Sequence, residues 1–100
     1  MPAYVISEVE VLDEEVAARY REIAAESIAV YGGRYLARGA EPDVPEGDRP
    51  TAMRVVIVEF PSMRQLTQWY DSAEYAPGRA LAGQALRRRL LFVPGVSASQ

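Results

Sequence analysis

Two stretches of this chain set charged side chains among apolar ones, where they could do chemistry. Arg38 follows Tyr35, Leu36 and Ala37, and Arg54 and Glu59 bracket the apolar run Val55 to Val58. Facing a closed cavity, strand-borne guanidiniums would fix an acidic or carbonyl group of a small molecule. A desolvated Glu59 would then be a general base. On a solvated strand edge the same residues would pair across strands instead, and both readings stand. The second stretch carries Tyr70, Tyr75 and Arg79. Tyr75 and Arg79 are four apart and share a face of any helix that runs through both. A phenol and a guanidinium together can hold an anionic or enolate oxygen. Alternatively, the rings pack a sheet–helix seam and the Arg79 stem covers them.

These residues define the candidate site: Glu59, Arg38, Tyr75 and Arg79 for catalysis, and Ser27, Arg54 and Tyr70 for holding a substrate. Ser27 falls on the apolar face of a helix, where it either bonds back to a helical carbonyl or offers a polar group at a pocket mouth. Trp69 reads as core. Glu8 and Glu10, two apart on one strand face, read as a solvated edge rather than a paired-carboxylate site. Arg87, Arg88 and Arg89 read as the end of a helix entering a strand, where cations suit the helix dipole.

Absences narrow the chemistry further. The chain has no cysteine and no histidine, so disulfides, thiol catalysis, Ser-His and Cys-His nucleophiles and the commonest metal ligand all fall away. No metal and no bound cofactor is expected. All eleven cationic side chains are arginine, and the net charge is −3. An acidic chain lacks the basic face that nucleic acid requires. No apolar run approaches a membrane span, and no signal peptide is evident. The expected location is cytoplasmic.

Six elements must position the candidate residues. Residues 3–11 read as a half-buried strand. Asp13 is a helix N-cap with Glu14 and Glu15 in the first turn. Val16, Tyr20, Ile23, Ser27 and Val30 recur on one helix face until Gly32-Gly33 ends it. Arg34 to Gly39 is a second strand, and residues 40–50, with three prolines, form a loop. Met53 to Phe60 is an apolar, β-branched third strand. Pro61 stops it, and Ser62 with Gln65 opens a second helix as a capping box. That helix breaks at Asp71-Ser72 and resumes near Pro77. Leu90 to Val93 is the last strand.

The order β-α-β-β-α-β predicts an α+β, ferredoxin-like fold. Both helices should cover one face of an antiparallel sheet of order 4-1-3-2. Residues 1–95 are expected to form one domain, with 96–100 as a flexible tail. The uncovered face carries Tyr4, Ile6, Val55 and Ile57, or their neighbours of opposite parity. Such a face is an interaction surface, and two of them packed together would make a symmetric homodimer enclosing a cavity.

The ordered set Ala3-Tyr4-Val5-Ile6, Gly32-Gly33-Arg34-Tyr35-Leu36-Ala37-Arg38-Gly39, Glu59-Phe60-Pro61-Ser62, Trp69-Tyr70, Ser72, Glu74-Tyr75, Arg79 and Pro94-Gly95 resembles the domain-of-unknown-function family thirteen-thirty. The resemblance implies a dimeric α/β barrel. Related barrels include cofactor-independent monooxygenases, haem-degrading enzymes, isomerases and pocket binders, and fold does not choose among them. Two functions stay open. One is a cofactor-independent enzyme acting on a small, partly apolar molecule in the barrel cavity. The other is a non-catalytic small-molecule binder or a structural homodimer.

Overall fold

Each turn in the chain has a local physical cause. In the computed structural model, which describes residues 1–48 and 53–96, Asp13 accepts a hydrogen bond from the Val16 amide at 3.1 Å. That cap opens α1 (Glu14–Val30) directly after β1 (Ala3–Val11). Gly33 follows the helix where a Cβ would lie 2.7 Å from Ile28 and 2.8 Å from the Phe60 ring. Only glycine lets the chain pass there into β2 (Arg34–Ala40). After β3 (Arg54–Phe60), the Ser62 hydroxyl accepts from the Gln65 amide at 3.1 Å and starts α2 (Met63–Tyr70). Ser72 makes the expected break, donating to the Trp69 carbonyl at 2.7 Å and accepting from the Tyr75 amide at 3.0 Å. The chain then enters α3 (Ala76–Ala85), with proline in its first turn.

The four strands form one antiparallel sheet in the order β2-β3-β1-β4, where β4 is Leu86–Pro94. This is the expected order read from the other edge, and the α+β ferredoxin-like fold is present. Two details differ from the sequence reading. Strand β4 begins four residues earlier than expected, so Arg87, Arg88 and Arg89 lie inside it and not at a helix end. Pairing with β1 drives the extension, since Val11 lies opposite Leu86 and Glu10 opposite Arg87. The buried face of α1 is also rotated. Ala17, Ala24, Ser27 and Ile28 are buried, whereas Val30 is 63% exposed.

Register settles which side of the sheet is covered. Ala3, Val5, Ser7 and Val9 of β1 face the helices, opposite Phe60, Val58, Val56 and Arg54 of β3. The core between the layers contains Val5, Val58, Phe60, Leu66, Trp69 and Tyr75. Full burial of a large apolar side chain such as Leu66 contributes ~1.5–3 kcal/mol. The other face carries Tyr4, Ile6, Val55 and Ile57, with Leu91 and Val93 of β4 beside them. No helix of the described residues is long and apolar enough to cross a membrane. The tail expected over 96–100 lies, apart from Val96, outside the described residues.

Candidate functional site

Small residues on α1 leave space beneath it. Ala17 and Ala24 lie above Val5, Val9 and Val58, and the gap is a cavity of about 400 Å³ between helix and sheet. Larger side chains at positions 17 and 24 would occupy that volume. The sequence reading expected a cavity between two facing sheets; the space seen here belongs to a single chain and lies on its helix-covered side. Its walls are mainly aliphatic, with Trp69 and Tyr35 among them.

The charged lining falls in two neighbouring cross-strand rows, with Arg38 at the β2 side and Arg88 at the β4 side. Arg54, Val9 and Arg88 occupy one cross-strand row, and Val56, Ser7 and Leu90 the next, with Arg38 opposite Val56. All three arginines line the cavity. Arg54 has Glu41 at 4.0 Å. Glu14, the carboxylate among the lining residues, is paired with Arg21 at 2.8 Å.

Arg88 is clamped by two phenols. Its Nη1 donates to the Tyr20 hydroxyl at 2.6 Å and its Nη2 to the Tyr75 hydroxyl at 2.9 Å. The two phenol oxygens are 2.8 Å apart. Burial alone would lower the Arg88 pKa, but the Tyr20 and Tyr75 oxygens outweigh it and the net shift is upward, so the guanidinium stays charged. Burial pushes the Tyr75 pKa well above the ordinary tyrosine value, the Tyr20 oxygen adds to this, and Arg88 opposes it. Tyr75 is therefore a neutral phenol near pH 7, with a proton to donate. Buried at 0% exposure, it has the Tyr20 oxygen as its acceptor among the described residues. Either phenol can donate in this pair; with Tyr75 as the donor, Tyr20 accepts from both Arg88 and Tyr75, and its own O–H is left for the cavity it lines. Together, Tyr20 and Arg88 present donors to any ligand oxygen at the β4 side.

Trp69 is fixed from behind. Its Nε1 donates to the Ser27 hydroxyl at 3.0 Å, and Ser27 donates to the Ala24 carbonyl at 3.0 Å. The Trp69 ring lies 4.2 Å from the Tyr75 ring, centroid to centroid. The α2–α3 turn thus holds the indole and the Tyr75 hydroxyl in one rigid unit.

The residues expected from sequence separate into three groups. Arg38 and Arg54 line the cavity from the paired strands β2 and β3, with Arg38 opposite Val56 and Arg54 opposite Val9. Tyr75 stands behind the lining, joined to it through Tyr20 and Arg88. The remaining four lie elsewhere. Glu59 points to the open face and accepts from Arg34 Nε at 2.7 Å. Arg79 donates to the Tyr70 carbonyl and lies over the Tyr70 ring at 5.2 Å, closing the turn between α2 and α3. Tyr70 packs against Phe92 at 5.4 Å. Ser27 is buried, making the back-bond that its position on α1 suggested.

Sequence reasoning left two lining residues, Tyr20 and Arg88, without a role. The signal for Arg88 was present: Leu86, Arg88 and Leu90 alternate with Arg87 and Arg89, the period of a strand. Among the described residues no group of three or more carboxylates, histidines or cysteines is placed to hold a metal.

A four-stranded sheet roofed by helices, with a small-molecule-sized cavity between the layers, defines an α+β, ferredoxin-like protomer. The chain belongs to the family described as Domain of unknown function (DUF1330), which it matches over residues 2–96. No curated protein matches it. Its fold is similar to that of RPA0582 from Rhodopseudomonas palustris, described as a protein of unknown function. That likeness has a TM-score of 0.79 at 17% identity and covers 96% of this chain and 83% of that one. It is also similar to Rv0793 from Mycobacterium tuberculosis, with a TM-score of 0.62 at 16% identity over 100% of both chains. A third similar structure is SnoaB, a cofactor-independent oxygenase from Streptomyces nogalater. There the TM-score is 0.57 at 10% identity, covering 97% of this chain and 95% of that chain. At these identities the likeness is one of fold.

Proposed function

We propose that this protein acts on a small, partly apolar molecule in the cavity beneath α1, without a bound cofactor. The observation that carries this is the pair of donors, the Tyr20 hydroxyl and the Arg88 guanidinium, at the β4 side of a mainly aliphatic cavity of about 400 Å³ that Arg38 and Arg54 also line. A ligand that gives up an acidic enol or phenol proton to solvent is held there as its anion, because fixed donors in a water-poor site favour negative charge. Such an anion is electron-rich enough to react with dioxygen directly. One electron passes to O₂, the resulting radicals join to form a C–O bond, the peroxide anion takes a proton back from solvent, and the hydroperoxide loses water to leave a carbonyl. In sum, CH₂ + O₂ gives C=O + H₂O. The fold shared with a cofactor-independent oxygenase supports this class of reaction, while Glu59, Arg79 and Tyr70 serve the fold around it. Residues 1–95 act as one domain, and its open sheet face pairs with a second copy to make the homodimer.

A second reading, a non-catalytic holder of the same ligand, is favoured by one observation. The carboxylate in the lining, Glu14, is already ion-paired with Arg21, which leaves no free base in the lining among the described residues. Native mass spectrometry followed by denaturation, then oxygen-electrode measurement with the released compound, separates the two. A dimer with a bound small mass that consumes oxygen supports the enzyme. A bound mass without oxygen uptake supports the holder. A protein that neither carries a ligand nor binds 2-naphthoate contradicts both.

A further inference from the structure

We propose that the ligand carries a second acidic group, opposite the oxygen received by Tyr20 and Arg88, and that Arg38 is the residue that reads it. This rests on the cavity being the ligand site. It begins from an irregularity in β2. Tyr35 lies opposite Val58, whose side chain faces the helices. Regular alternation from Tyr35 would send Arg38 to the open face. The register instead shifts between Tyr35 and Ala37, so Ala37 lies opposite Ile57 and Arg38 opposite Val56, on the cavity side. A second shift between Arg38 and Ala40 restores the pairing, with Ala40 opposite Val55. Gly39 makes that shift with φ at +81°, and a Cβ there would meet nothing within 4 Å, so its backbone conformation and not close packing calls for glycine. Two interruptions of the ladder thus bracket a segment whose long polar side chain is Arg38. Bulges that re-aim one side chain are typical of binding sites.

The company kept by the strand arginines points the same way. Arg34, Arg54, Arg87 and Arg89 each have a glutamate partner: Glu59, Glu41, Glu10 and Glu8. Arg38 and Arg88 have no carboxylate among the described residues, and both line the cavity. Arg38 instead lies over the Tyr35 ring at 4.2 Å from its centroid. Stacking on a ring orients a guanidinium while leaving its N–H fork open to a carboxylate. The two cations stand on opposite edge strands, β2 and β4, with β3 and β1 between them. Three strand spacings put their backbones ~14 Å apart, and Val56 of β3 and Val9 of β1 lie in the interval, with Ser7 and the Glu41-paired Arg54 beside them. The complementary ligand is elongated, apolar in the middle and acidic at both ends.

The test uses Trp69, the single tryptophan, which lines the cavity, as a fluorescence reporter of binding. The probes are 2-naphthoate and 2,6-naphthalenedicarboxylate. Wild type should bind the diacid at least ~10-fold more tightly than the monoacid, as expected for an added charge-assisted fork. Arg38→Gln should erase that preference, and Arg88→Met should weaken both probes. A wild type that binds the monoacid but shows no preference for the diacid overturns the second acidic group and leaves the cavity reading intact. A preference that survives in Arg38→Gln, checked as folded by circular dichroism, removes Arg38 from the role. If neither acid binds to wild type, the cavity reading falls and this inference with it.

Discussion

The two faces of this sheet are made by the same four strands and treat positive charge in opposite ways. On the open face, Arg34, Arg87 and Arg89 are each matched by a glutamate across the strands. The apolar side chains between those pairs, Ile6, Ile57 and Leu91, are left on a surface that is locally neutral. On the helix-covered face, Arg88 is held by the Tyr20 and Tyr75 hydroxyls, and Arg38 by the Tyr35 ring. A phenol positions a guanidinium without cancelling its charge, whereas a carboxylate cancels it. The first face therefore suits a second copy of the chain, and the second suits an anion.

The sharpest way to break this comparison is a pair of opposite variants. Ala24→Leu puts bulk into the cavity at a strain cost of ~1–3 kcal/mol and should abolish 2-naphthoate binding while the native mass stays dimeric. Ile57→Asp should do the reverse, halving the native mass and leaving Trp69 responsive to 2-naphthoate. If either variant loses both properties while still folded, the two faces are not independent.

Stability measurements sharpen it further. Ser27→Ala leaves the buried Trp69 N–H without its acceptor, which should cost ~1–3 kcal/mol in denaturant unfolding. A cost near zero would mean that the indole is not held from behind. The pH dependence follows from the phenols. Burial raises the Tyr75 pKa above its ordinary 10.0, and burial also raises that of Tyr35. Above the unfolded value of ~10 the unfolded chain has lost these protons and the folded chain has kept them. Their contribution is therefore fully present below pH ~10 and declines as pH rises toward the folded values. Thermal unfolding midpoints between pH 8 and 11 should be level and then fall, and the fall should be shallower in Tyr75→Phe. The smallest effect belongs to the open face. Arg89→Ala removes an exposed pair with Glu8 and should change stability by less than ~1 kcal/mol. A larger loss would mean that this face contributes more to folding than its exposure suggests.

Much of the architecture was legible because it is written in local chemistry. Asp13, Ser62 and Gly32-Gly33 mark helix ends through hydrogen bonds and backbone freedom that act over a few residues. The strand order followed from connectivity. The site was only partly legible. Arg38 and Arg54 were placed on the right strands, but Arg38 reaches the cavity through a bulge that no alternation pattern announces. Glu59 looked equally suited to a pocket because strand parity cannot be read without knowing which face the helices cover. Arg88 was assigned to a helix end because three consecutive arginines suit one, and only pairing with Glu8, Val9 and Glu10 of β1 draws them into the sheet.

By itself, then, the sequence determined the element order, the caps and the absence of histidine and cysteine chemistry, because each depends on residue type and short-range spacing. Only the tertiary structure decided that Tyr20, Tyr75 and Arg88, separated by 55 and 13 residues along the chain, meet at one point. Only the tertiary structure also left a cavity above the valines of β1 and β3. Both depend on how α1 settles on the sheet, and that is set by the volume of Ala17 and Ala24 summed against distant partners, a quantity that no local window contains.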